Sequence, residues 1–134
     1  MAGSRKPKVS VITLGVADLD KSTKFYKKLG FKEDENNDGI VFFKLQNLTL
    51  ALFPREELAK DAGIPEEGSG FRAFSLAHNV RSAPEVDAIL GKAKQAGAKI
   101  VKSGQKVSWG GYSGYFADLD GFLWEVAWNP FMEL

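Results

Sequence analysis

Glu125 is the residue whose type and setting most suggest chemistry. It lies in the run Phe122 to Trp128 (FLWEVAW), where alternation sets Trp124, Val126 and Trp128 on one face and Leu123, Glu125 and Ala127 on the other. Burying a carboxylate alone among apolar neighbours is costly. Glu125 therefore needs either a cation such as Lys44 on a neighbouring strand, or a task. The tasks open to it are to accept a hydrogen bond from a ligand, or to act as a general base whose pKa is raised by an apolar cup. Trp109 and Tyr112 stand in a glycine-flanked loop, WGGYSG, where stacking on a ligand and packing in a loop or dimer contact are equally open to them. The single histidine, His78, sits near a strand end, where a backbone hydrogen bond suits it better than catalysis. There is no cysteine, which excludes disulfides, thiolate metal sites and cysteine nucleophiles. Gly110-Gly111 is not a phosphate loop, because no GxxxxGK[ST] pattern surrounds it. Lys21, Lys24, Lys27 and Lys28 form a solvated helix face.

The elements that must hold these residues come in two matching sets. In the first, Val9 to Val16 reads as a strand with Ile12, Leu14 and Val16 on one face. A helix follows, capped by Asp18 or Asp20, with Phe25 and Tyr26 on its apolar side and Gly30 as its stop. Phe31 to Glu35 is a short strand, Asn36-Asn37-Asp38-Gly39 a turn, and Ile40 to Leu45 with Leu48 to Phe53 a hairpin. In the second set, Phe71 to Val80 is a strand and Ser82 with Pro84 opens a helix that Gly97 ends. Lys99 to Lys102 is a short strand, 103–113 an irregular loop, and Gly114 to Ala117 pairs with Phe122 to Trp128 around Asp118-Leu119-Asp120-Gly121. Between the sets, 54–70 is linker-like, with a short helix over Glu56 to Asp61 and a Gly68-Ser69-Gly70 tip, and reads as a crossover or a lid.

Strand, helix and three strands therefore occur twice, so the expectation is an α+β fold of two βαβββ modules in one domain. Module one covers about 9–54, the linker 55–70 and module two 71–130. Two curved sheets with helices outside would enclose a cup faced by Val11, Thr13, Ala51, Phe53, Ser75, Ala77 and Glu125. An apolar cleft with few fixed polar groups is typical of a ligand site. On this reading the ligand-binding candidates are Thr13, Phe53, Ser75, Trp109, Tyr112 and Glu125, and Trp124 and Trp128 belong to core or interface.

Composition narrows the partners. With 134 residues, and 18 lysines and arginines against 17 acidic residues, the net charge of +1 gives no footprint for nucleic acid or an anionic membrane. No apolar run reaches the ~20 residues of a membrane span, and MAGSRKPKVS lacks the apolar segment of a secretory signal. A cytoplasmic location is expected.

VITLGVADLDKSTKFYKKLGF, SLAHNV and GYFADLDGFLWEV, in that order, resemble the vicinal oxygen chelate superfamily of glyoxalase I, extradiol dioxygenases and bleomycin-resistance proteins. The resemblance spans about 9–130 and implies paired βαβββ modules, often in a homodimer. It also implies four strand positions for a divalent metal held by His, Gln or Glu. Those positions hold Val11, Ala51, Ser75 (or Ala73, if the strand shifts by two) and Glu125, so one ligand of four is kept. Such metals need about three protein ligands. His78 lies three residues from Ser75 and faces the opposite, helix-covered side unless a bulge turns it. No metal or other cofactor is expected. The resemblance implies a metal-free protein that binds a small organic molecule, with sequestration as its mode of action. The alternatives are a lyase, isomerase or dioxygenase using Glu125, and an interaction module using the aromatic C-terminal strand.

Overall fold

The computed structural model describes residues 6–37, 39–132 and 134, and only the backbone of 35–37. The chain forms two compact units, Met1–Glu66 and Glu67–Leu134, each built on one four-stranded sheet.

The first unit contains β1 (Val11–Val16), α1 (Leu19–Lys28), β2 (Glu33–Asn37), β3 (Ile40–Lys44), β4 (Thr49–Pro54) and α2 (Arg55–Ala62). Its strand order is β1-β4-β3-β2, with β1 parallel to β4 and the other pairs antiparallel. Of the two possible caps, Asp18 takes the role, accepting a 3.0 Å hydrogen bond from the Lys21 amide. Lys27 and Lys28 occupy the last turn of α1, where cations suit the helix dipole. Alternation turns Leu14, Val16, Val41, Phe43, Leu50 and Leu52 towards the core, where Phe25 and Tyr26 of α1 are also buried. Phe43 lies edge-on to Phe31 at 5.8 Å and tilted against Tyr26 at 6.1 Å. Burial of each large apolar side chain contributes roughly 1.5–3 kcal/mol.

The linker helix α2 extends one residue beyond Glu56–Asp61 at each end and packs on β1 and β4. It approaches so closely that a Cβ at Gly15 would lie 3.2 Å from both the Arg55 Cα and the Leu58 Cδ2. The Arg55 guanidinium donates to the Glu66 carbonyl at 2.9 and 2.5 Å, fixing the segment beyond the helix. In the expected turn between β2 and β3, Asp38 lies outside the described residues; β2 and β3 pair up to Asn37 and Ile40 on either side of it.

The second unit contains β5 (Ser75–Val80), α3 (Ala83–Ala96), β6 (Lys99–Lys106), β7 (Tyr112–Ala117) and β8 (Leu123–Trp128). Its order, β5-β8-β7-β6, repeats the first, with β5 parallel to β8. Ser82 caps α3 by accepting from the Glu85 amide at 3.3 Å, while the Glu85 carboxylate accepts from the Arg81 amide at 3.1 Å. This reciprocal arrangement is close to a capping box. Val86, Leu90 and Ala93 of α3 are buried together with Val80, Phe116, Trp124 and Val126 of the sheet. Phe116 and Trp124 stack with their planes 5° apart. The β7–β8 turn is held by the Asp118 carboxylate, which accepts from the amides of Asp120 (2.9 Å) and Phe122 (2.8 Å).

Two boundaries differ from the sequence expectation by four residues, while those of β1, β2 and β7 differ by two. The strand expected from Phe71 begins at Ser75, because Ala73 takes a left-handed backbone (φ 64°) that interrupts extended structure. The loop expected over 103–113 is shorter, because β6 continues through the polar Ser103-Gly104-Gln105-Lys106. This strand pairs with β7 across two register shifts, one between Ile100 and Lys102 and one between Lys102 and Gln105. Polar composition suggested a loop, and strand pairing overrode it. Among the described residues no helix is long and apolar enough to cross a membrane.

Candidate functional site

The faces of the second sheet follow from its register. Gly114 lies so close to α3 that a Cβ there would be 2.7 Å from the Leu90 Cδ1, which fixes Tyr112, Gly114 and Phe116 on the helix side. Tyr115 therefore faces the other way, as do its cross-strand partner Glu125 and that residue's parallel neighbour Ala77. Lys102 pairs with Tyr115 from the far side. One row across the helix-free face thus reads Ala77, Glu125, Tyr115, Lys102. Glu125 is half-buried and, among the described residues, has no hydrogen-bond or ion-pair partner.

Beside this row lies a cavity of about 450 Å³, lined by Phe71, Ala73, Phe74, Ser75, Val101, Lys102, Tyr115 and Leu123. That volume is within the roughly 300–1,000 Å³ of small-molecule sites. Two local departures from regular strand build it. The left-handed Ala73 breaks alternation, so that Phe71 and Phe74 both reach the cavity. Arg72 is stacked over the Phe122 ring at 4.9 Å, and Phe122 also meets Phe74 at 6.1 Å. The register shift after Ile100 is a bulge, and a bulge sets two consecutive residues against one on the partner strand. It brings both Val101 and Lys102 to the cavity wall.

The Tyr115 hydroxyl has its pKa raised, by burial first and by the Glu125 carboxylate second. It therefore stays protonated at neutral pH, available to donate a hydrogen bond.

The residues expected from sequence fall in different places. Ser75 lines the cavity, and Glu125 stands one strand rung away on the same face. Thr13 and Phe53 belong to the first unit, on adjacent strands, where Thr13 pairs with Ala51 and Gly15 with Phe53. Tyr112 is on the helix side, donating its hydroxyl proton to Asp87 of α3 at 2.9 Å. That bond, more than burial, raises its pKa. Gly104 lies beneath the pair, and any Cβ there would strike both side chains. Trp109 is exposed in the tight turn between β6 and β7, its ring folded over Gly111, and is not part of the cavity wall. Phe71, Phe74, Val101, Lys102, Tyr115 and Leu123 are additions to the candidates. Tyr115 was legible, since the Asp118–Gly121 turn sets it opposite Glu125; Lys102 was hidden by the bulge.

At the four strand positions where related folds would hold a metal, the side chains are those of Val11, Ala51, Ser75 and Glu125. Among the described residues no three His, Cys, Asp or Glu side chains come together as a metal site. The donor set does not fit a divalent ion that needs about three protein ligands.

His78 pairs with Val126 and so faces the helix side. Although the residue is exposed overall, partial desolvation of the ring lowers its pKa below 6.5, and the Glu85 carboxylate offsets this only in part. The unfolded chain then binds the proton more readily, so this contribution to stability is complete above about pH 6.5 and is lost as pH falls through the lower folded value. We expect His78→Gln to flatten the fall of melting temperature just below pH 6.5. A slope equal to that of the wild type would exclude His78 as its source.

The sequence model of the Glyoxalase/Bleomycin resistance protein/Dioxygenase superfamily matches residues 8–126. A glyoxalase-related enzyme from Fulvimarina pelagi is 35% identical, with a TM-score of 0.86 over 92% of this chain and 88% of its own. A hypothetical protein from S. aureus is 28% identical, with a TM-score of 0.83 over 94% and 96% of the two chains. A lactoylglutathione lyase from Agrobacterium tumefaciens shares the fold at 23% identity, with a TM-score of 0.69 over 96% of each chain. No curated protein matches.

Proposed function

The chain belongs to the Glyoxalase/Bleomycin resistance protein/Dioxygenase superfamily, and we propose that within it this protein binds a small organic molecule without a metal ion. The site is the apolar cavity on the helix-free face of the second unit. One observation carries the reading: a cavity of about 450 Å³ walled by Phe71, Phe74, Val101 and Leu123, with polar groups only from Ser75, Lys102 and Tyr115 along its side-chain wall. Apolar walls with a few placed polar groups are what a ligand site needs. The chemistry of Val11, Ala51 and Ser75 at the family's metal positions supports the metal-free part. The same proposal has the protein acting as a cytoplasmic homodimer. Its support is the family resemblance together with apolar side chains left in solvent, such as Phe131, which is 80% exposed.

A second reading, a lyase, isomerase or dioxygenase, is favoured by Glu125, a half-buried carboxylate without a hydrogen-bond or ion-pair partner among the described residues, across the strand pair from Tyr115. The F. pelagi relative, described as an enzyme, adds to it. In that role Glu125 would abstract a proton and Tyr115 would donate to the developing oxyanion.

Titration of the purified, chelator-treated protein with nickel, zinc and iron, read by calorimetry, tests the metal-free part of the binding proposal. The binding proposal expects no stoichiometric uptake and no difference between wild type and Glu125→Gln. Tight one-to-one binding that Glu125→Gln abolishes would overturn it in favour of metal-dependent chemistry.

A further inference from the structure

The chemistry of the cavity wall narrows the ligand class, on the premise that this cavity is the binding site. We propose that it takes a flat aromatic molecule bearing a single negative charge, such as an aromatic carboxylate, with the ring between Phe71 and Phe74 and the anion on Lys102.

Three features lead there. Phe71 is 74% exposed and Phe74 43%, so both side chains present open surface at the cavity that nothing among the described residues covers fully. Phe74 does not need to be ordered by the ligand, because Phe122 already backs it and Arg72 in turn covers Phe122. Aromatic surface held in place beforehand recognises planar rings at low entropic cost.

The charge comes from the wall itself. Lys102 is its one cationic side chain and, among the described residues, has no ion-pair partner. A bulge, a feature that re-aims side chains, brings it there. The hydroxyls of Ser75 and Tyr115 line the same cavity and are both able to donate to an anion. Glu125 is the opposing charge on this face. It lies two strands from Lys102, with Tyr115 between them, which at roughly 4.8 Å per strand is about 10 Å. An anion in contact with Lys102 is several times nearer to that ammonium than to Glu125, so the attraction outweighs the repulsion.

The test uses the full chain and three probes that share one ring system: 2-naphthoate, 2-naphthylmethanol and 2-naphthylmethylamine. Calorimetry should give an affinity for the acid at least tenfold above that for the alcohol, with the amine weakest. Lys102→Met, which keeps an apolar stem, should bring the acid down to the alcohol's affinity, whereas Lys102→Arg should preserve the preference. Phe74→Ala should weaken the acid and the alcohol by the same factor. Equal affinity for acid and alcohol, or a preference for the amine, would overturn the anionic class while leaving the cavity as a binding site. An acid preference unchanged in Lys102→Met would overturn the role of Lys102. Failure of all three probes to bind would overturn the aromatic class, leaving the proposed function to the metal titration above.

Discussion

Replacing Trp124 by alanine is expected to cost the second unit about 3–5 kcal/mol, the range for large aromatic side chains removed from a core. Trp124 is 6% exposed, stacks on Phe116 and lies on the face of β8 that the helix α3 covers. Its neighbours are strand side chains and a capped helix, which have little freedom to collapse into the space left. Leu123 and Glu125 flank it on the opposite face, so the strand that carries one cavity wall loses its anchor at the same time. Chemical denaturation followed by tryptophan fluorescence and by far-UV circular dichroism would measure the loss. A cost under about 1 kcal/mol, the scale of a surface change, would contradict this account of the core.

Gly114→Val is expected to be the other severe change, for the opposite reason. A Cβ at Gly114 would lie 2.7 Å from the Leu90 Cδ1 and 2.7 Å from the Lys102 carbonyl oxygen, and 3.0 Å from the Gly104 amide nitrogen. Leu90 is able to rotate, but two of the three neighbours are backbone atoms of β6 and have nowhere to go without opening the β6–β7 pairing. Overpacking of this kind typically costs about 1–3 kcal/mol. The consequence reaches the cavity, because the backbone that must shift is the bulged segment that presents Val101 and Lys102. Thermal melting should therefore fall, and binding of an aromatic acid should weaken by a larger factor than binding of its neutral alcohol. A melting point equal to that of the wild type would show that β6 accommodates the side chain.

The repeated strand-helix-strand pattern made both topologies legible because alternation and helix capping are local signals. Ile12, Leu14 and Val16 announce a strand, and Asp18 and Gly30 bracket a helix, whatever lies elsewhere. The face of Glu125 is legible for the same reason, since Trp124 and Val126 have to be inside. The cavity wall was less legible because it depends on breaks in the periodicity. An alanine at φ 64° carries no mark in the sequence, where Phe71 to Val80 looks like one continuous strand. The bulge after Ile100 is equally silent, so Lys102 looked like the end of a short strand. Tyr112 shows the limit from the other side. Its aromatic character suggested a ligand contact, but its position in the register gave it Asp87 as a partner.

In each unit the first strand to be made is paired with the last. β1 lies against β4 and β5 against β8, in parallel, while the helix and the two intervening strands are strung between them. A nascent chain has no completed sheet to offer until its final strand arrives, and closing so long a loop carries an entropic cost before any contact repays it. Folding of each unit should thus be slow for its size. During synthesis β5 waits with an unpaired edge, and the apolar side of β8, with Trp124 and Val126, emerges after the other elements of its unit. Premature release from the ribosome would leave that edge open, the condition in which strands find partners in other chains.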